Sequence, residues 1–246
     1  MLEMVRNFLS FCRGFWVDAF MPIGFDLEGQ RVWEQWGINI YRCDQTKGVI
    51  SCCHRQRGEF MEQIFPCYTS LWHNELWGNP LKELLYWYIN ANDGAHGVDA
   101  GMIITQAALE QIAWLYCVQD KGILSEDAFK PGGLRASDRF RVLLSSLDIP
   151  LAIPVELPIL YAGKRITQGN GQRFEPWKDG PHAFSDIRNE LVHPGKFSQD
   201  AQKKKWDTEP YLREAWALGQ WYIELCLLRL SGYVGDYMCR FDTGEY

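Results

Sequence analysis

From residue 58 onwards, apolar residues recur at the spacing of a helix, and that period limits most of the chain to an α-helical fold. Phe60, Ile64, Phe65, Tyr68, Leu71 and Trp72 form one broad stripe, because 3.6 residues per turn bring positions three and four apart onto one face. Asn79-Pro80 then supplies a cap and a first-turn proline for a second helix, Leu81 to about Asn92. A third runs from about Asp99 to Gln119, with Ile103, Ala107, Glu110, Trp114 and Cys117 along one side. A fourth spans about Leu134 to Leu147 and turns Phe140, Leu143, Leu144 and Leu147 inward, with Arg135, Arg139 and Arg141 elsewhere. A fifth starts near Pro181 and stops at His193-Pro194-Gly195, where Pro cannot continue a helix and Gly can cap it. The last, about Glu209 to Ser231, is amphipathic through Leu212, Trp216, Trp221, Leu225 and Leu228.

Two stretches break this pattern. Residues 148–180 carry four prolines and four glycines and read as a long irregular connection, the kind that in a compact domain usually serves a function. Residues 1–57 read as β structure. Val5–Cys12, Phe15–Phe20, Arg31–Cys43 and Val49–His54 are rich in β-branched and aromatic residues, and turn signals at Asp26–Gly29 and Asp44–Gly48 separate them. A few strands make a marginal sheet alone. The expectation is therefore two parts, a β-rich 1–57 that ends a larger N-terminal β domain, and a helical domain over 58–246.

Charge narrows the function classes. A net charge of -6 argues against a protein that coats nucleic acid at random. Residues 160–205 run the other way, with nine Lys/Arg against five Asp/Glu, a local excess of four positive charges. A phosphate-bearing ligand is drawn there first, with Lys164, Arg165, Arg173 and Lys196 as its contacts. The eight cysteines are scattered and several sit in apolar patterns, which suits a reducing cytosol. Neither a secretory signal nor a bilayer-spanning run is present, so a cytoplasmic location and no membrane partner are expected. Cys43-x8-Cys52-Cys53-His54 lacks a CxxC knuckle, and no metal or cofactor is called for.

Within the basic stretch lies Arg188-Asn189-Glu190-Leu191-Val192-His193-Pro194-Gly195. On a helix, Asn189 and His193 share a face, and the long side chain of Arg188 can swing to the same opening. The helix C-terminus favours a protonated imidazole. Glu110, a carboxylate amid apolar residues, Asp186 and His182 are candidates to support the site. Without chemistry, the same residues would simply end a helix, with His193 capping carbonyls and Arg188 paired to Asp186 or Glu190.

Arg188-Asn189-x3-His193, late in a helical bundle and followed by Pro-Gly, resembles the Arg-x4–6-His signature of HEPN domains. Many of these are metal-independent ribonucleases of toxin, CRISPR-associated and abortive-infection systems, and a polar residue directly after the Arg belongs to the pattern. Leu109-Glu110-Gln111 and the Trp-rich stripes are similar to HEPN domains of the ApeA anti-phage type, which sit at the C-terminal end of a longer protein. The resemblance implies a HEPN-like up-and-down helical bundle with a small N-terminal β-rich segment. It also implies cleavage of RNA, with tRNA a candidate, by 2′-hydroxyl attack on the adjacent phosphate. In that scheme His193 is the general base or acid, Arg188 holds the scissile phosphate and Asn189 orients one of them. It further implies a homodimer with a composite active site, and an N-terminal sensor domain outside this chain. The other reading of the resemblance is a non-catalytic module that dimerises or binds nucleotide or protein.

Overall fold

The computed structural model describes residues 1–37, 51–53, 58–93, 97–168, 171–193 and 209–241. Among them the chain is mainly helical. The α-helices are α1 (Leu2–Arg13), α2 (Gly58–Trp72), α3 (Gly78–Asn92), α4 (Gly97–Trp114), α5 (Ala136–Ser146), α6 (Pro158–Ala162), α7 (Gly180–Val192) and α8 (Glu209–Leu230). Two antiparallel hairpins accompany them, β1 (Ile23–Phe25) with β2 (Arg31–Glu34), and β3 (Lys164–Gln168) with β4 (Gly171–Glu175). No helix among the described residues is long and apolar enough to cross a membrane.

The strand expected over Val5–Cys12 is instead the body of α1. Met4, Phe8, Phe11 and Cys12 are buried, at helical spacing, and Gly14 ends the helix in a left-handed conformation (φ 71°) with its N–H donating to the carbonyls of Ser10 and Phe11. Phe8 packs edge-on to Phe65 at 4.9 Å between ring centroids and lies 5.2 Å from Tyr68, while Phe11 lies 5.8 Å from Tyr88. Tertiary burial against α2 and α3 thus overrides the β-leaning composition. Phe15–Phe20 and Cys52–Cys53 form no strand, whereas 38–50 and His54 lie outside the described residues. The turn expected at Asp26–Gly29 is present. Asp26 Oδ1 accepts from the N–H groups of Glu28 and Gln30, and Gly29 takes φ 78°.

α4 is the central helix, packed against α3, α5, α7 and α8. Its buried residues are Gly101, Met102, Thr105, Gln106, Ala108, Leu109, Ile112 and Ala113. The expected stripe through Ile103 and Ala107 is off by about one position, and both are exposed. A helix covered on several sides has no single apolar face for periodicity to find. After Trp114 the helix widens into a π-turn over Leu115–Asp120.

α7 and α8 approach closely at Gly219. A Cβ there would stand 2.5 Å from the ring of Phe184 on α7 and 2.6 Å from the methyl of Thr105 on α4. The supposedly irregular 148–180 contains α6 and the β3–β4 hairpin. This hairpin leads to Trp177, whose ring packs edge-on to Tyr211 of α8.

Candidate functional site

α7 is built to start and stop sharply. Asp179 caps it by accepting from the His182 N–H at 2.8 Å, and Pro181 occupies the first turn, where a missing N–H costs nothing. The fork of Arg141 on α5 grips the Asp179 carboxylate through Nε and Nη2, fixing the helix start to the bundle. Phe184 and Ile187 are fully buried, and this turns Arg188 to the margin of the core and leaves Asn189 and His193 exposed. His193 caps the helix just after its last residue, Val192, with its N–H donating to the Asn189 carbonyl at 3.0 Å. Among the described residues its imidazole makes no hydrogen bond or ion pair. Pro194 and Gly195 lie outside the described residues.

Arg188 does not pair with Asp186 or Glu190. Those two carboxylates share Lys164, at 3.2 and 3.0 Å. Arg188 Nη1 instead donates to Asn189 Oδ1 at 3.3 Å, and the Glu110 carboxylate on α4 acts on it without forming an ion pair. Burial pulls the guanidinium below the usual arginine range, and the Glu110 carboxylate opposes that. Glu110 in turn receives Arg139 Nη2 from α5, 2.8 Å from Oε2 and 2.9 Å from Oε1. Burial nevertheless raises the Glu110 carboxyl above its ordinary value, against the opposing pull of Arg139, the Gln106 amide and Arg188. Desolvation therefore outweighs the ion pair here.

Arg188, Asn189 and His193 thus follow one another at the C-terminal end of α7, with Arg188 bonded to Asn189, while Glu110 on α4 is bonded to Arg139 of α5. Arg139 was expected off the inward face of α5, yet its side chain is 14% exposed. Its signal was slight: it adjoins Phe140 at the edge of the inward face of α5. Asp186 is on the same helix but belongs to the Lys164 bridge. His182 is not part of the site. It lies eleven residues earlier, about 16 Å along the helix axis. There its Nδ1 accepts from the Lys178 N–H at 3.2 Å and its ring packs edge-on to Trp177.

The expected basic contacts disperse. Lys164 is neutralised by two carboxylates. Arg165 pairs across the hairpin with Phe174, and Arg173 with Ile166. Since neighbours on a strand alternate faces, the two arginines point to opposite sides. Lys196 lies outside the described residues. A cavity of about 420 Å³, lined by Trp77, Tyr116, Asp120, Lys121 and Arg229 among others, contains none of the motif residues. No group of three or more His, Cys, Asp or Glu among the described residues is placed to hold a metal ion. Cys12, Cys52 and Cys53 are buried free thiols, with Cys52 Sγ 3.9 Å from Cys53 Sγ, and Cys43 lies outside the described residues.

Residues 74–246 match the family model of the YopA C-terminal domain, and residues 1–49 that of the YopA central domain. A curated relative, the "SPbeta prophage-derived uncharacterized protein YopA" of Bacillus subtilis (strain 168), is 28% identical over 213 residues. That alignment covers 86% of this chain and 43% of the relative, so the chain spans less than half of that protein's length. No solved structure matches the chain.

Proposed function

We propose, for a chain that belongs to the YopA C-terminal domain family, that the C-terminal end of α7 carries a HEPN-type endoribonuclease site acting without a metal ion. The observation that carries this reading is the placement of Arg188. It is a half-buried guanidinium hydrogen-bonded to Asn189, five residues before the exposed His193 on the same helix end, with the Glu110 carboxylate acting on its charge. A cation held at the edge of the core can bind a phosphodiester and steady the charge that builds on it in the transition state. An imidazole open to solvent can take the 2′-hydroxyl proton as that oxygen attacks phosphorus. The P–O5′ bond breaks, the 5′ oxygen receives a proton, and a 2′,3′-cyclic phosphate remains. One His193 serves one of these proton transfers, and a second copy supplies the other, so the working form is a homodimer. The prophage origin of the B. subtilis relative supports a role in phage–host conflict, in anti-phage defence or as a toxin.

The test is cleavage of labelled RNA in the presence of a chelator by the parent and by Arg188→Ala. Loss of about 100-fold or more in Arg188→Ala supports the reading, in line with the removal of one transition-state contact. Equal rates, or no cleavage by the parent, contradict it and leave the alternative of a non-catalytic binding or dimerisation module. Sedimentation that shows only monomer at micromolar concentrations removes the composite site.

A further inference from the structure

Where α4, α5 and α7 pack together, polar side-chain atoms are buried without partners. Arg139 Nε, Arg188 Nε, Gln106 Oε1 and Ser185 Oγ all lack a hydrogen bond among the described residues. Buried polar atoms normally have partners, because a hydrogen bond left unmade away from water destabilises the fold. Arg139 is bonded to the Glu110 carboxylate, and the charge of Arg188 acts on the same carboxylate from α7. Arg139 is also stiff. Its side chain is 14% exposed, its Cζ lies 4.7 Å over the Phe129 ring, and its Nη2 is anchored on both Glu110 oxygens.

We propose that Arg139 is a second phosphate-binding residue of the Arg188 site, so that the two arginines clamp one phosphate and Glu110 is the counter-ion they share while the site is empty. This rests on the reading of Arg188 as the phosphate holder. Two forks from different helices grip an anion from two directions, which a single arginine cannot do, and the desolvated surroundings strengthen each bond. The ligand class is a phosphodiester or phosphomonoester, since sulfate- and phosphate-like oxygens offer several acceptors to forked donors. Arg139 holds and orients the phosphate and takes no part in moving protons.

Equilibrium binding of inorganic phosphate, measured by calorimetry at constant ionic strength, tests the clamp independently of cleavage. Arg188→Gln and Arg139→Gln should each weaken the dissociation constant about tenfold or more, as expected for loss of a charged hydrogen-bonding partner. Lys164→Gln should stay within about twofold, because Lys164 is already bridged to Asp186 and Glu190. Should Arg139→Gln fail to unfold cooperatively, Glu110→Gln decides. It removes the competing charge while keeping the shape, and phosphate binding should tighten. Parent-like affinity in a folded Arg139→Gln, weaker binding in Glu110→Gln, or no phosphate binding by the parent overturns the clamp. A parent that binds phosphate through both arginines yet leaves RNA intact keeps the clamp and removes the ribonuclease reading.

Discussion

Arg240 Nη2 donates to Glu224 Oε1 at 2.6 Å, and both side chains are enclosed, the arginine 3% and the glutamate 1% exposed. Tyr88 donates to the same oxygen at 2.6 Å, and Arg240 Nη1 reaches Asn92 Oδ1 at 3.1 Å, so the pair ties the segment after α8 to α3 and α8. Removing one partner strands a buried charge. Arg240→Ala should therefore lower the unfolding free energy by about 3–5 kcal/mol in denaturant titration. An Arg240→Met, Glu224→Leu double variant should cost less than either single truncation, since nothing charged is then left behind. A midpoint unmoved in Arg240→Ala would show that the segment is not locked to the core.

The close approach of α7 to α8 gives a second prediction. Gly219→Ala forces a methyl against Phe184 and Thr105 and should destabilise by about 1–3 kcal/mol, the range for overpacking a filled core. Because Phe184 lies one helix turn before Arg188, the same change should also weaken phosphate binding. Unchanged stability would mean that α7 can shift freely.

α2, α3, α5 and α7 could be read from the apolar period because each buries one main stripe, whereas α8 is enclosed on all sides from Leu218 to Leu228. α2, α3, α5, α7 and α8 begin and end within a few residues of the expected positions, since Pro80, Pro181 and the polar runs between them fix the ends. α1 was missed because Val5, Phe8 and Phe11 satisfy strand composition as well as helix spacing, and only contact with Phe65, Tyr68 and Tyr88 decides between them. The inward face of α4 was misplaced because that helix is covered on several sides. Within the candidate site, spacing sets Asn189 and His193 on one face of α7 with Arg188 beside Asn189, and the hydrogen bond from Arg188 to Asn189 keeps that order. Glu110 stood out as a charge in an apolar run, but its partner Arg139 comes from another helix, and no local pattern relates positions 29 residues apart. The pairing of Lys164 with Asp186 and Glu190 was hidden for the same reason.

That pairing separates two cations that composition treats alike. In RNA cleavage, Lys164→Gln should stay within about threefold of the parent, while Arg188→Gln should lose about 100-fold or more. Equal losses in initial-rate measurements would return Lys164 to the site.

Glu110 makes a prediction in pH. Burial raises its carboxyl in the folded state above the ordinary value of 4.5, so the folded chain holds this proton more tightly than the unfolded one. Its contribution to stability is then fully present below 4.5 and is lost as pH rises through the elevated folded value. The stability of the parent relative to Glu110→Gln should accordingly fall as pH rises from 4.5 towards neutrality, by denaturation at a series of pH values. A difference that grows with pH would mean that the Arg139 ion pair outweighs burial.

The proposed cleavage of RNA by His193 and Arg188 through the 2′-hydroxyl is tested by the chemical nature of the new 3′ end. The parent, incubated with single-stranded RNA in excess chelator, should leave a 2′,3′-cyclic phosphate and a 5′-hydroxyl, and His193→Ala should leave the RNA intact. A 5′-phosphate product, or the same cyclic end from His193→Ala at the parent's rate, would contradict the account.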